Sequence, residues 1–502
     1  MKISFRRAIA GLGMAVLLLT PVGAAPSETK PQDELSTPPI YQPRTEDAVV
    51  PPPVTLPPPP HIPAEVPNAP LSADEAARIA LRYQPTIGIA RGQITTARGT
   101  VTAAGAPSRT IFNMGLNYID VLTPSTGGSS SAAIATAVAQ GANQAALGGG
   151  AAGNAALQGA AGAGYLVTGS VRQLLYDFNR TREQVRQARA AERAAVAGLT
   201  TTQTEVVLQT KRAYYAYVQA LRTILVNEGN LRNQQDHLAL ARGRFRAGVG
   251  LPADVVRSQT AVSSAIFNLV QARNNASLAR VQLAAIMGID PRTPINIQED
   301  SHEPEPATDS VEALFGDALK RRPEMAQSLS NVEAAEHGLK AARLTNAPTL
   351  SGTLTYTARG SSLFPSNDSV IGGVQLSWSP LDGDLTKGAT LQAQGVLETA
   401  RASLLNARQT VLSEVGQAYL NLKTAEQALV TADAEVANAE ETARLNVGRY
   451  KSGLGQLLDV LDAQNALNIA RTNRVNAAAG VDLARAALQR AIGTPLGEDP
   501  GP

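Results

Sequence analysis

The chain has 502 residues, enough for about three domains or one large repetitive one. Hydrophobic residues make up 44% of it but aromatic residues only 4%, so a core must be built mainly from Ala, Leu and Val, which suits closely packed helices. A formal net charge of +2 and the absence of cysteine exclude a strongly basic surface for a nucleic-acid partner, as well as disulfides and thiolate chemistry.

The chain begins with the features of a secretory signal peptide in their required order. Basic residues within the first seven positions precede an apolar run at 8–19, and small residues follow at 23–25. The apolar run is too short to span a bilayer. We therefore predict a signal peptide over residues 1–24 and a mature protein that leaves the cytoplasm. The alternative is a buried N-terminal helix, which would not require this order of features.

Proline dominates the next segment, residues 25–70. Uninterrupted proline runs stand at 51–53 and 57–60, and proline neither continues a helix nor fits the centre of a sheet. We predict an extended or disordered arm over these residues. The arm is either a solvated tail or a polyproline spacer that docks on a partner, and the sequence leaves both open.

The rest of the chain is a tandem duplication. The segment at 243–250 resembles the one at 448–455, and positions 243 and 448 lie 205 residues apart. Upstream the spacing grows, because the matching prolines 85 and 323 lie 238 residues apart, so the first half contains an extra segment. We predict a first repeat over 71–300 with an Ala/Gly-rich hairpin insertion at about 122–164, a second repeat over 301–495 and a tail at 496–502.

Each repeat starts with a helical stretch, which is followed by runs in which apolar and polar residues alternate. The helical stretches are predicted at 72–104 and 310–344, and each alternating run ends near an Asp suited to cap a helix, Asp177 or Asp382. The pattern predicts four strands of about ten residues in two hairpins, the length of tilted transmembrane strands. We place the hairpins at 111–121 with 165–176 and at 349–357 with the apolar-faced run that contains Val370, Val374, Leu376 and Trp378.

Unusually long helical patterns follow the strands. Leu199, Val206 and Ala213 continue a seven-residue spacing that indicates a coiled-coil seam, and the seam recurs 205 residues later. Proline is absent from 177–243, which predicts a rod of about 67 residues and about 100 Å. Returning helices are predicted at 253–287 and 457–492. Taken alone, such seams are also typical of a coiled-coil tether.

Two signatures of the form R-[FY]-x-x-G-x-G-x-x-x-D-V stand at residues 244–255 and 449–460. Together with the duplication they resemble the TolC family of outer-membrane efflux proteins. The resemblance implies a mainly α fold with a membrane β-barrel portion, in which tandem-duplicated long antiparallel helices and four strands per chain assemble as a homotrimer. The trimer would form a twelve-stranded barrel in outer-membrane lipid and an α-helical tunnel across the periplasm of a Gram-negative bacterium. Partners would be a periplasmic adaptor (membrane fusion) protein and an inner-membrane exporter.

Acidic residues after the second turn are candidates for the periplasmic constriction. Asp459 and Asp462 lie three residues apart at the start of a returning helix, so their side chains share a face, and three-fold symmetry would set two rings of carboxylates around the axis. Such rings favour cations. In the first repeat Asp254 and Arg257 take these places, and we include Asp254 in the candidate gate. Helix capping is the alternative role for these residues.

The two helix-to-helix turns are candidates for adaptor contact. Glycines there permit left-handed backbone angles and leave backbone groups unobstructed, although they also serve simply to make a turn. Gly455 stands where some family members place an Arg that pairs with an Asp of the other repeat. The candidate contact residues are Arg244, Gly248, Val249, Gly250, Leu251, Arg449, Tyr450, Gly453, Leu454 and Gly455.

The sequence offers little support for an enzyme. The glycine pairs at the turns lack the strand, helix and third glycine of a dinucleotide fingerprint, and Glu336-His337 and His302-Glu303 are more typical of solvated faces than of acid/base pairs. We expect no catalytic site, metal or cofactor, and with no P-loop lysine the energy for transport must come from a partner. The alternative to an exit duct is a periplasmic or surface coiled-coil scaffold without transport activity.

Overall fold

The computed structural model describes residues 70–119, 164–297, 310–360, 362 and 367–493. These residues belong to one compact unit, Pro60–Pro502. The predicted signal peptide, the proline-rich arm up to residue 69, nearly all of the Ala/Gly-rich stretch and the C-terminal tail lie outside the described residues.

Long helices dominate the described chain, and the strands stand between them. The helices are α1 (Ala73–Tyr83), α2 (Pro85–Gly105), α3 (Arg180–Arg246), α4 (Pro252–Met287), α5 (Val311–Arg321), α6 (Pro323–Arg343), α7 (Leu385–Lys451) and α8 (Leu457–Ala491). The strands are β1 (Ile111–Ile119), β2 (Gly164–Tyr176), β3 (Thr349–Gly360) and β4 (Asn367–Ser377). Within the described ranges no helix has both the length and the apolar character that crossing a bilayer requires.

The predicted rods are confirmed. Helices α3 and α7 have 67 residues each, about 100 Å of rise, and α4 and α8 return along them. Toward the strands α3 packs on α2 and α6, whereas toward the turns it packs on α4 and α8. The predicted seam is the buried face of α3, on which Val206, Ala213, Tyr217 and Leu238 are all less than a tenth exposed.

The two helical stretches that precede the strands are each broken, which corrects the prediction of continuous helices at 72–104 and 310–344. The breaks fall at Gln84 and Arg322, whose backbones are extended with ψ of 122° and 125°. Both residues precede a proline, and the proline ring disfavours a helical conformation at the residue before it. The guanidinium of Arg322 is buried at its break and contacts Glu324 at 2.8 Å and Glu414 at 2.6 Å.

Each repeat has its own hydrophobic core where its first short helix meets the pair of long helices. In the first repeat the hydroxyl of Tyr214 donates to the carbonyl of Leu71 at 3.0 Å, inside a cluster with Leu283 and Met287. The corresponding cluster of the second repeat contains Leu314, Val411, Val415, Leu422 and Leu488. Leu283 and Leu488 lie 205 residues apart, so the duplication seen in the sequence is also a duplication of the core.

Candidate functional site: the sheet and the two helix turns

The four strands form one antiparallel sheet in the order β1-β2-β3-β4, so the two predicted hairpins are joined through β2 and β3. Residues in register across antiparallel strands point to the same face. Met114 is paired with Gly169, Gly169 with Tyr356, and Tyr356 with Val370, which assigns one face across all four strands.

That face is mainly apolar, with Gln173 and Asp368 as its polar members in the described strands. It carries Phe112, Met114, Leu116, Tyr118, Tyr165, Val167, Val171, Leu350, Leu354, Tyr356, Val370, Val374 and Leu376. Several of these side chains are exposed in the single chain, among them Met114 at 73% and Val374 at 69%. An extended exposed apolar face of this kind marks a surface that is covered by lipid or protein.

The opposite face is mainly polar, although Ile111, Leu166, Leu174 and Ile371 also belong to it. It carries Asn113, Asn117, Thr168, Ser170, Arg172, Ser351, Thr353, Thr355, Thr357, Arg359, Ser369, Gln375 and Ser377. Outward apolar and inward polar alternation over strands of 9 to 13 residues is the pattern of a water-filled membrane barrel. The outer edges of β1 and β4 have no neighbouring strand in the described part of the chain, so closure requires other copies.

Aromatic side chains stand at both ends of the sheet. The rings of Tyr118 and Tyr165 lie 4.9 Å apart at the end next to the β1–β2 loop, and those of Tyr176 and Phe178 lie 4.9 Å apart at the helical end. From Tyr165 to Tyr176 the strand rises about 36 Å, which a tilt of about 45° reduces to roughly 25 Å across the membrane. The two clusters therefore have the spacing of the aromatic girdles of a membrane barrel.

In each repeat an Asp caps the N-terminus of the long helix that follows the strands, as predicted. The backbone N–H of Thr181 donates to Oδ2 of Asp177 at 2.7 Å, and that of Thr386 to Oδ2 of Asp382 at 2.9 Å. Between each Asp and its helix the backbone takes two consecutive left-handed residues, at 178–179 and 383–384. Both junctions therefore have the same bend.

The turn glycines have two different roles, which corrects the expectation of left-handed angles at all four. Only Gly248 and Gly453 have positive φ, at 77° and 82°. Gly250 and Gly455 are instead points of close approach. A Cβ at Gly250 would lie 2.7 Å from the backbone nitrogen of Phe245, and one at Gly455 would lie 3.0 Å from the Cβ of Arg449.

Most backbone amides of the turns are already used, contrary to the expectation of unobstructed groups. The N–H groups of residues 248–249 and 453–455 donate to carbonyl oxygens at the ends of α3 and α7 at 2.9 to 3.1 Å, and so satisfy the helix termini. The turns expose apolar side chains instead: Val249 is 67% exposed, Leu251 63% and Leu454 78%.

The two turns contact each other through Arg244 and Tyr450. The guanidinium of Arg244 donates a hydrogen bond to the Tyr450 carbonyl and lies 4.7 Å from the centre of its ring. Tyr450 is only 3% exposed, so its side chain lies inside the chain and not on the turn surface. Its burial, together with the nearby carboxylate of Asp254, raises the pKa of Tyr450, which Arg244 partly offsets. The sequence signature contained both residues but did not indicate that they meet.

The acidic candidates are placed at the turn end of the molecule. Asp459 and Asp462 are exposed in the first turns of α8, and Oδ2 of Asp459 accepts from the backbone N–H of Gln456 at 3.5 Å. Asp254 is half-buried at the start of α4, near Tyr450. Capping of α8 therefore accounts for part of the role of Asp459, whereas the described residues show no such bond for Asp462.

The candidate acid/base pair Glu336-His337 is divided between two helix contacts. Nδ1 of His337 lies 2.6 Å from Glu183 of α3, whereas Glu336 contacts Arg401 of α7 at 3.2 Å. Burial alone would raise the pKa of Glu183, but the hydrogen bond from His337 and the charge of Arg186 lower it. The other pair, His302-Glu303, lies outside the described residues. Among the residues that are described, no cluster of His, Asp and Glu could hold a metal ion.

An apolar-faced, open-edged sheet joined to paired helical rods defines a membrane channel assembled from several copies. The family model for outer membrane efflux proteins matches residues 132–289 and 314–494, so the chain belongs to that family. Its members are trimeric channels, not enzymes, that extend from the outer membrane into the periplasm and operate with adaptor proteins and inner-membrane pumps. This protein is accordingly an outer-membrane exit duct.

Individual relatives agree with the family assignment. Nodulation protein T of Rhizobium leguminosarum bv. trifolii is 24% identical over 331 residues, which cover 64% of this chain and 70% of that protein. Outer membrane protein TolC of Escherichia coli (strain K12) is 24% identical over 342 residues, with 64% and 68% covered. The solved outer-membrane channel OprN has the same fold, with a TM-score of 0.69 at 19% identity over 84% of this chain and 90% of that one.

Proposed function

We propose that Asp459 and Asp462 form the constriction at the periplasmic end of the trimeric duct, and that the two turns dock the adaptor that passes substrates from an inner-membrane exporter. The role is transport, with no catalytic site of its own. The observation that supports it best is the polarity of the molecule: an apolar-faced sheet stands at one end of the rods, and exposed carboxylates and apolar turns stand at the other.

Geometry supports the constriction through the spacing of the two carboxylates. They lie three residues apart on α8, so they share a face, and three-fold symmetry turns that face into two rings. Six carboxylates at a narrow point favour cations and hinder anions. Asp254 has a supporting place in this proposal, because it lies near Tyr450 at the contact between the two turns.

The constriction is tested with the double variant Asp459→Ala/Asp462→Ala in planar bilayers. We expect higher conductance and weaker cation preference than for the unaltered trimer, because both rings are removed. Asp433→Ala is the matched control, because Asp433 lies on α7 at a distance from the turn and its carboxylate contacts Arg474 at 2.5 Å. Unchanged conductance and ion preference in the double variant would show that the gate assignment is wrong.

Apolar side chains, rather than free amides, support docking at the turns. Val249, Leu251 and Leu454 are exposed at the end of the molecule farthest from the sheet, where an adaptor reaching from the inner membrane would meet the duct. Arg449 is exposed beside them. The surface combines apolar anchors with positive charges, since Arg246 and Lys451 are exposed there as well, which fits the end of a helical hairpin that carries apolar and acidic side chains.

Docking is tested by placing charge on the turns. Val249→Glu/Leu454→Glu should abolish export while trimers still form and insert, because neither side chain packs within the chain. Leu445→Glu is the matched control, since Leu445 is also exposed, at 52%, but lies on the body of α7. Bulky residues in place of Gly250 and Gly455 would crowd the ends of α3 and α7 and should also stop export. Normal export, or adaptor crosslinks confined to the proline-rich arm, would overturn the placement.

A further inference from the structure

The polar face of the sheet carries charge of one sign only. In the described strands its ionisable residues are Arg172 and Arg359, and its other polar groups are hydroxyls and amides. Asp368, the acidic residue of β4, is in register with Ala358 and so belongs to the apolar face. In a barrel whose apolar face meets lipid, both arginines therefore line the lumen.

The register places the two arginines at different depths. Arg172 of β2 is paired with Ile111 and Thr353, four residues before the helical end of its strand. Arg359 is paired with Leu166 and Asn367, one residue before the outer end of β3. Thr353 and Arg359 are six positions apart, which is about 20 Å along the strand.

Both arginines are exposed, and neither has an ion pair with any residue that the structure describes. Their charge is therefore directed at the lumen, and no carboxylate in the described part of the chain neutralises it. Three-fold symmetry turns each into a ring of three guanidinium groups. Twelve strands about 4.8 Å apart and tilted by about 40° enclose a cylinder about 25 Å wide.

Such a lumen is narrow enough for the rings to act on passing ions. Every point in it lies within about 12 Å of the wall, and closer to the projecting side chains, which is comparable with the Debye length of about 8 to 10 Å at physiological ionic strength. Rings of arginine in a pore attract anions, as rings of carboxylates attract cations. The rings therefore have the opposite sign to the carboxylates of Asp459 and Asp462 at the turn end.

We propose that Arg172 and Arg359 make the membrane barrel an anion-favouring exit, suited to release negatively charged organic solutes outward. This inference rests on the exit-duct function and deepens it, but it does not depend on Asp459 and Asp462 being the constriction. Arg172 and Arg359 would then be specificity-determining residues of the barrel.

The test measures reversal potentials of full-length trimers in planar bilayers under a KCl gradient. In the Asp459→Ala/Asp462→Ala background we expect chloride to be preferred over potassium. Adding Arg172→Gln/Arg359→Gln should lower the chloride-to-potassium permeability ratio by about two-fold or more. The matched control Arg172→Lys/Arg359→Lys retains both charges and should retain the ratio.

Further variants cover the case in which the double Gln variant does not assemble. If the double Gln variant fails to give detergent-resistant trimers, the single variants Arg172→Gln and Arg359→Gln should each lower the ratio partially. Arg292→Gln, in the loop after α4 and outside the barrel, should leave it unchanged. An equal ratio in the Gln and Lys variants would overturn the proposal. A shift on Arg substitution with none on Asp substitution would support the arginine rings while rejecting the constriction.

Discussion

At the scale of single residues, Arg244 joins the two repeats at the periplasmic end. It stands at the end of α3 and reaches across to the carbonyl and ring of Tyr450 at the end of α7. The cross-repeat contact is made by a side chain of the first repeat on a backbone carbonyl and ring of the second. The tightness of the turns thus depends on an arginine of the first repeat and a tyrosine of the second.

Arg244→Ala should loosen the second turn. The variant loses a charge-assisted hydrogen bond worth about 1.5 to 3 kcal/mol and a cation–π contact worth about 0.5 to 1 kcal/mol. We expect faster hydrogen exchange at the amides of residues 453–455 in detergent-solubilised trimers. Arg246→Ala, an exposed residue two positions along the same helix, is the control. Equal exchange rates in the two variants would argue against the contact.

We expect His237 to make the turn half of the rods sensitive to acid. It is 7% exposed on α3, and its Nε2 is buried without a hydrogen-bond partner among the described residues. Burial lowers the pKa of His237, Lys451 lowers it further and Asp236 opposes both. Because the folded pKa lies below the unfolded value of about 6.5, its contribution to stability is complete above that pH and is lost as pH falls through the lowered pKa.

The prediction for His237 is a pH-dependent melting temperature. Between pH 7.5 and pH 5 the unaltered trimer should lose more thermal stability than the variant His237→Leu, whose side chain does not titrate. Thermal melting of detergent-solubilised trimers at several pH values measures the difference. Parallel curves for the two proteins would mean that another group governs the acid response.

At the scale of elements, the two faces of the sheet have different surroundings. The apolar face meets lipid and the polar face lines the water-filled lumen. Strand β4 shows this within two neighbouring residues. Val374 is in register with Gly352 on the apolar face, and Gln375 is in register with Ser351 on the polar face. On the lipid face an Arg or Lys costs about 2 to 4 kcal/mol at the membrane midplane and about 0 to 1 kcal/mol near its interfaces, and an Asp costs somewhat less, whereas the lumen tolerates charge.

Val374→Asp should therefore impair barrel assembly more than Gln375→Asp. Three copies of each substitution enter one barrel, so the difference between the variants is multiplied in the trimer. The measurement is the fraction of detergent-resistant trimer in outer-membrane extracts, with total protein as the reference. If Gln375→Asp were the more damaging change, the assignment of the two faces would have to be reversed.

At the scale of the whole molecule, closure of the barrel requires three chains. Closed membrane barrels have at least eight strands, the described residues of one chain provide four, and members of the outer membrane efflux protein family are trimers, so three chains together supply twelve strands. We expect the mass in detergent to correspond to three copies of the mature protein. Light scattering or native mass spectrometry decides this, and a monomeric particle with full channel conductance would contradict it.

Much of this architecture is determined by the sequence alone, because it depends on local periodicity. The seven-residue seam predicts α3 and α7, the two-residue alternation predicts the strands, and the 205-residue offset predicts that both repeats fold alike. Local rules also account for the capping by Asp177 and Asp382. The breaks before Pro85 and Pro323 could have been found in the same way from the effect of proline on the preceding residue.

Tertiary structure alone decided the features that depend on which distant residues meet. Arg244 and Tyr450 are 206 positions apart in sequence, and no local pattern pairs them. Gly248 and Gly250 look equivalent in sequence, yet one is needed for its backbone angle and the other for its lack of a side chain. Alternation shows that a strand has two faces, but only the register across four strands places Arg172 and Arg359 on the same one, because pairing is set by packing between segments and not within them.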